Sequence, residues 1–149
     1  MNEKNLKIKE LFELAFQHQK ENNLLYAQNI YEKILKLNPN EIATLNNLGN
    51  LLRQMKKYEE AFFYYESALK IKPQDLITNY NVGLLFYRQD KFEKSVNFFK
   101  NAIKSDPKHV LSYHCLMDIY EITNDNENLK KTITEAKKFL KTNSIVKLY

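Results

Sequence analysis

His114 and Asp118 stand four residues apart in the stretch VLSYHCLMDIY, a spacing that places an imidazole and a carboxylate on one face of a helix. Such a pair could form half of a metal site, or a base with its orienting acid. Two ligands do not close a zinc site, and the neighbouring Cys115 points elsewhere around the same helix, so no metal, cofactor or catalytic role is expected of them. Elsewhere no stretch resembles a nucleophile with its base, a phosphate loop or a paired-carboxylate site, and His18 and His109 carry no pattern. The chain by itself reads as non-enzymatic.

A second constellation is made of amides. The stretch NNLGN, Asn46 to Asn50, interrupts the otherwise apolar TLNNLGNLLRQ with residues that are poor helix formers. An Asn side chain carries both a donor and an acceptor, so it can pair with the C=O and N–H of an extended peptide without reading that peptide's side chains. An isolated exposed Asn is ordinarily just a solvated residue. The elements that carry these amides therefore decide their meaning.

Those elements are helices. With 149 residues the chain can bury a sizeable core, and its 2 Gly and 3 Pro are too few for a many-stranded β protein. The prolines Pro39, Pro73 and Pro107 recur every 34 residues in the similar stretches LKLNPNEIATL, LKIKPQDLITN and IKSDPKHVLSY. Proline there is expected to end one helix and to start the next, where its missing N–H is harmless.

Registering the chain on this period gives units 8–41, 42–75, 76–109 and a fourth from Val110 to about 144. At the eighth place stand Ala15, Gly49, Gly83 and Met117; at the twentieth, Ala27, Ala61, Ser95 and Leu129; at the twenty-fourth, Tyr31, Tyr65, Phe99 and Ile133. Small residues half a unit apart let two antiparallel helices approach closely, and the large residue at the twenty-fourth place fills the next gap. The pattern resembles the tetratricopeptide repeat over almost the whole chain. The resemblance implies an all-α, right-handed superhelical solenoid of about four helix-turn-helix repeats in one domain, 1–149, stacked because no unit buries its apolar face alone. In the fourth unit Met117 and Leu129 replace the small pair, so its helices must sit farther apart or shift. Residues 145–149 read as the start of a further helix.

In such arrays the first helix of each unit, helix A, lines a concave face. Its places 2, 5, 6, 9, 12 and 13 then put Phe12 and Phe16 of the first unit there, with Asn46, Asn47, Asn50 and Arg53 of the second and Tyr80, Asn81, Leu84, Tyr87 and Arg88 of the third. Asn47 and Asn81, both at place 6, are similar to the asparagine ladder of O-linked N-acetylglucosamine transferases, although Glu13 and Cys115 break it on both sides. They are the expected ligands of a peptide backbone, supported by Asn46 and Asn50. Phe12, Phe16, Tyr80, Leu84 and Tyr87 would supply apolar contact, and Arg53 and Arg88 would meet acidic side chains. The carboxylate clamp of chaperone-binding members is not matched, because no cation falls at its places and a C-terminal carboxylate would lack a charge-assisted partner. Glycines 49 and 83 read as packing residues. In AFFYYES, Phe62 and Tyr65 should face the core, with Phe63 and Tyr64 toward the convex side.

The net charge of +5 is a local matter: residues 1–128 are neutral, and residues 129–149 hold six lysines against Glu135. A nucleic-acid partner would require a basic stripe along the body, so none is expected. MNEKNLKIKE lacks the apolar segment of a secretory signal, no run is long enough for a membrane span, and one cysteine excludes an internal disulfide framework; a cytoplasmic location is the expectation. The implied function is a protein-interaction module that holds an extended peptide or partner helix in its groove. Two alternatives stand beside it. One is the N-terminal recognition part of a longer glycosyl-, sulfo- or methyltransferase-type protein cut at Tyr149. The other is a scaffold that self-associates through its C-terminal end into a homo-oligomer.

Overall fold

A computed structural model describes residues 3–140; the expected helix start at 145–149 lies outside them. Eight α-helices and no strand occur among the described residues: α1 (Glu3–Lys20), α2 (Leu24–Leu37), α3 (Ile42–Gln54), α4 (Tyr58–Ile71), α5 (Leu76–Tyr87), α6 (Phe92–Ser105), α7 (Val110–Ile122) and α8 (Asn126–Phe139). Helices α3, α5 and α7 begin at the first residue of their units, and α4, α6 and α8 follow at the same offset. They fall into two compact units, Met1–Pro73 with α1 to α4 and Gln74–Tyr149 with α5 to α8. Each unit holds two hairpins, each a helix A followed by an antiparallel second helix, helix B.

The period is visible in the backbone. Asn22, Lys56, Asp90 and Asn124 all have positive φ, between 54° and 62°, and each sits in the turn between helices A and B of its repeat. The residue after each one donates its N–H to a carbonyl five residues back: Asn23 to His18, Lys57 to Leu52, Lys91 to Phe86 and Asp125 to Tyr120, at 2.8–3.0 Å. The left-handed residue itself donates three residues back, to Gln19, Arg53, Tyr87 or Glu121 at 3.0–3.1 Å. This is the Schellman arrangement, which satisfies carbonyls that a helix end leaves unpaired. Lysine is poorly suited to that conformation, whereas Asn and Asp tolerate it. Replacing Lys56 by Gly should therefore raise stability by about 1 kcal/mol, read as a higher midpoint in thermal unfolding. An unchanged or lowered midpoint would show that Lys56 is not strained.

The prolines stop helices but do not start them. Asn38, Lys72 and Asp106, each immediately before a proline, are extended, with φ near −140° and ψ of 89–101°. The clash of the proline ring with the preceding residue disfavours the helical conformation there. The next helices are capped two residues beyond each proline. Glu41 accepts from the Thr44 N–H at 2.8 Å and Asp75 from the Thr78 N–H at 3.0 Å, while His109 at the third such position bonds the Ser112 hydroxyl through Nδ1 at 2.7 Å. Proline thus lies in the connecting turn, outside the helix it was expected to begin.

The close approach of helices A and B is carried by places 8, 20 and 24 together. Ala15, Ala27, Ala61 and Ser95 are fully buried, and the Ser95 hydroxyl donates to the Gly83 carbonyl at 2.8 Å, which ties place 20 to place 8 directly. The bulk above each glycine is the aromatic ring of place 24. A Cβ on Gly49 would lie 2.5 Å from the Tyr65 ring, and one on Gly83 would lie 2.6 Å from the Phe99 ring. Repeat four reverses the sizes, with Met117 at place 8 and Ile133 at place 24, and α7 and α8 pack less closely than the other three pairs. That matches the expected departure of the fourth unit.

Candidate functional site

In the first unit, α1 and α3 bring Phe12, Phe16, Asn46, Asn47, Asn50 and Arg53 into play. Phe16 is 42 % exposed, with the Lys20 ammonium 4.4 Å above its ring. Phe12 is half-buried and meets Tyr31 edge-on, with ring centres 5.9 Å apart. Phe12 also lines an open cavity of about 620 Å³ together with Asn5, Ile8, Lys9, Glu13, Asn38, Glu41 and Ala43. Lys9, Phe12, Glu13 and Ala43 occupy places 2, 5 and 6, which were among those expected to line the concave face. The volume falls within the range of small-ligand pockets.

The amides behave differently from the expectation. Asn46 is only 5 % exposed, so it is buried where an outward-facing ligand group was expected. Asn50 turns its acceptor inward: its Oδ1 receives the Tyr65 hydroxyl at 2.7 Å and Arg53 Nη2 at 3.2 Å. Burial pushes the Tyr65 phenol up to about 12, against the lowering influence of Arg53, so the hydroxyl keeps its proton and donates. Asn50 and Arg53 are therefore parts of one internal network over the core. Asn47, like Asn50, is half-buried.

In the second unit, α5 and α7 form the corresponding face. Asn81, like Asn46, is 5 % exposed, which removes the second rung of the expected backbone ladder from the surface. Tyr80 is held between Phe99 and His109, with ring centres 5.8 and 5.0 Å away. Leu84 and Tyr87 pack against the core cluster around Phe99, Tyr113 and Leu116. Arg88 is exposed at the C-cap of α5. Three large aliphatics remain open on these helices, Ile77, Leu111 and Ile122, each 52 % exposed.

Asp118 does not pair with His114. It accepts the Tyr87 hydroxyl, which fastens the end of α5 to the middle of α7 and, with burial and the charges of Asp118 and Asp90, pushes the Tyr87 phenol up to about 12. Burial raises the Cys115 thiol to about 11 and leaves it protonated at neutral pH, a poor nucleophile. Burial also lowers the His109 imidazole. Sequence reading missed the Tyr87–Asp118 and Tyr65–Asn50 bonds. The second had a signal, because the only place-24 tyrosine followed by a phenylalanine one period later, Tyr65 then Phe99, coincides with Asn50 then Leu84 at place 9. In AFFYYES Tyr65 is fully buried and Phe63 is 62 % exposed, as expected, whereas Phe62 and Tyr64, expected on opposite sides, are both half-buried. No described helix is long and apolar enough to cross a membrane.

Family models described as tetratricopeptide repeat match residues 42–75 and 77–109. No curated protein sequence matches. Among solved structures, MamA from Desulfovibrio magneticus RS-1 is similar with a TM-score of 0.75 at 20 % identity, over 89 % of this chain and 75 % of that one. A tetratricopeptide repeat protein from Parabacteroides merdae gives 0.76 at 21 % identity, over 86 % of this chain and 51 % of that one. An O-GlcNAc transferase mutant from Thermobaculum terrenum gives 0.73 at 19 % identity, over 80 % of this chain but only 23 % of that one. At these identities the likeness is one of fold, an all-α helical-repeat solenoid.

Proposed function

Because the chain belongs to the tetratricopeptide-repeat family, we propose that it is a protein-interaction module whose A-helix faces hold an extended peptide or a helix of a partner protein. The observation that carries this reading is the cavity of about 620 Å³ at Phe12, which joins apolar walls to Lys9, Glu13 and Glu41. Such a site takes one apolar side chain and leaves polar groups for the flanking residues. Phe16 continues the apolar strip, Asn47 offers an amide to the peptide backbone, and Tyr80, Leu84 and Tyr87 form the corresponding strip of the second unit. Asn46, Asn50, Asn81 and Arg53 serve the fold beneath it.

The test uses the full chain as bait to recover a partner, followed by titration with Phe16→Ser combined with Asn47→Ala. Removing an aromatic anchor and a backbone ligand should weaken binding by about tenfold or more, with an unchanged helical circular-dichroism spectrum. Unchanged affinity would refute the assignment of this face.

One further reading has an observation behind it, the similarity to less than a quarter of an O-GlcNAc transferase chain. On that reading the repeats are the substrate-recognition part of a longer transferase. The open reading frame read past Tyr149 decides it: a transferase domain in the same frame supports the reading, and its absence ends it.

A further inference from the structure

The second unit carries an apolar face bordered by carboxylates of α7. Ile77 and Leu111 occupy the same place on α5 and α7, and Ile122 lies a turn beyond Asp118; each of the three is 52 % exposed although large and aliphatic. Single exposed aliphatics are ordinary, but three on one pair of helices, together with the half-buried Leu84 and Cys115, make an apolar strip on this face. Beside this strip on α7 stand Asp118 and Glu121, both exposed, while the turn after α5 carries Asp90 between the exposed cations Arg88 and Lys91. Among the described residues, neither Asp118 nor Glu121 forms an ion pair. The Tyr87 hydroxyl holds Asp118 in place, so one carboxylate of the group is fixed at the strip's edge and its second oxygen is left to a donor from outside.

We propose that this face selects partner segments in which an apolar residue is flanked by Lys or Arg. The apolar side chain would lie on Ile77, Leu84 and Leu111, and the cations would meet Asp118 and Glu121. This inference rests on the reading of the A-helix face as a peptide site and adds the chemical class of the peptide. The net charge of +5 belongs to residues 129–149 and gives this face no preference of its own. A preference for a basic peptide must therefore come from the local group of carboxylates.

The probes are two nonapeptides in a Ser/Gly background, each with a central Leu, flanked by Lys in one and by Glu in the other. Both are titrated into the full isotope-labelled chain at low salt and followed by amide chemical shifts. The Lys peptide should bind about tenfold more tightly and shift amides of α5 and α7. Glu121→Gln together with Asp118→Asn should remove most of that preference, and Glu121→Gln alone about half of it, which guards against an effect of Asp118 on folding. Equal binding of the two peptides, or a preference for Glu, would overturn the charge selection while leaving the peptide face standing. Binding of neither would overturn both.

Discussion

Phe99→Ala should lower the unfolding free energy by about 3–5 kcal/mol, a large part of the total stability of a small domain. The ring is fully buried and covers Gly83 so closely that a methyl group there would overlap it. Gly83→Ala should in turn be destabilising by about 1–3 kcal/mol from overpacking, partly offset by roughly 1 kcal/mol of better helix propensity. The two changes must couple. Once Phe99 is Ala, the methyl group at position 83 fills space that the ring has left, so Gly83→Ala changes sign and becomes stabilising. Urea unfolding of the two single variants and the double variant measures this. An equal penalty for Gly83→Ala in both backgrounds would mean that the ring is not what requires the glycine.

The second large effect is expected at Asn50. Asn50→Ala leaves the buried Tyr65 hydroxyl without its acceptor and should lose about 1–3 kcal/mol. Removing both ends of the bond is a different matter. Tyr65→Phe with Asn50→Leu installs the pair that the third repeat already carries, Phe99 and Leu84, and should return stability to within about 1 kcal/mol of the parent. Denaturant midpoints of the three variants separate the cases. If the double variant is as unstable as Asn50→Ala, then the amide does something beyond accepting from Tyr65. The experiment also disentangles fold from binding, because a partner that needs Asn50 would be lost by the double variant even with stability restored.

The architecture was legible because it is written in spacing. Three prolines at one interval and small residues at two offsets set repeat units whose first residues coincide with the starts of α3, α5 and α7, three residues after the prolines that were expected to begin those helices, and the pairing of helices followed from which places were small. Local turn chemistry was less legible. The four left-handed residues are Asn22, Lys56, Asp90 and Asn124, none of them glycine, so the usual mark of a helix C-terminus was missing. The face was the least legible part. A helical wheel says which way a side chain sets out, but not how much of it the rest of the fold covers: Asn46 and Asn81 were expected outside and are each 5 % exposed. Nor does it show a partner on another helix: Asn50 bonds a residue fifteen positions on and Asp118 one thirty-one positions back. Both bonds divert groups that, read alone, would serve a ligand.

The recurrent left-handed turns have a consequence for how the chain reaches this state. Each reverses the backbone within a few residues, so the first contacts between a helix and its neighbour close only a short loop and forfeit little chain entropy. Within each of the two compact units the first hairpin then meets the second, α2 against α3 and α6 against α7. The ordering entropy is surrendered in small local instalments, one repeat at a time, and the barrier is set by a hairpin and its neighbour and not by the length of the array.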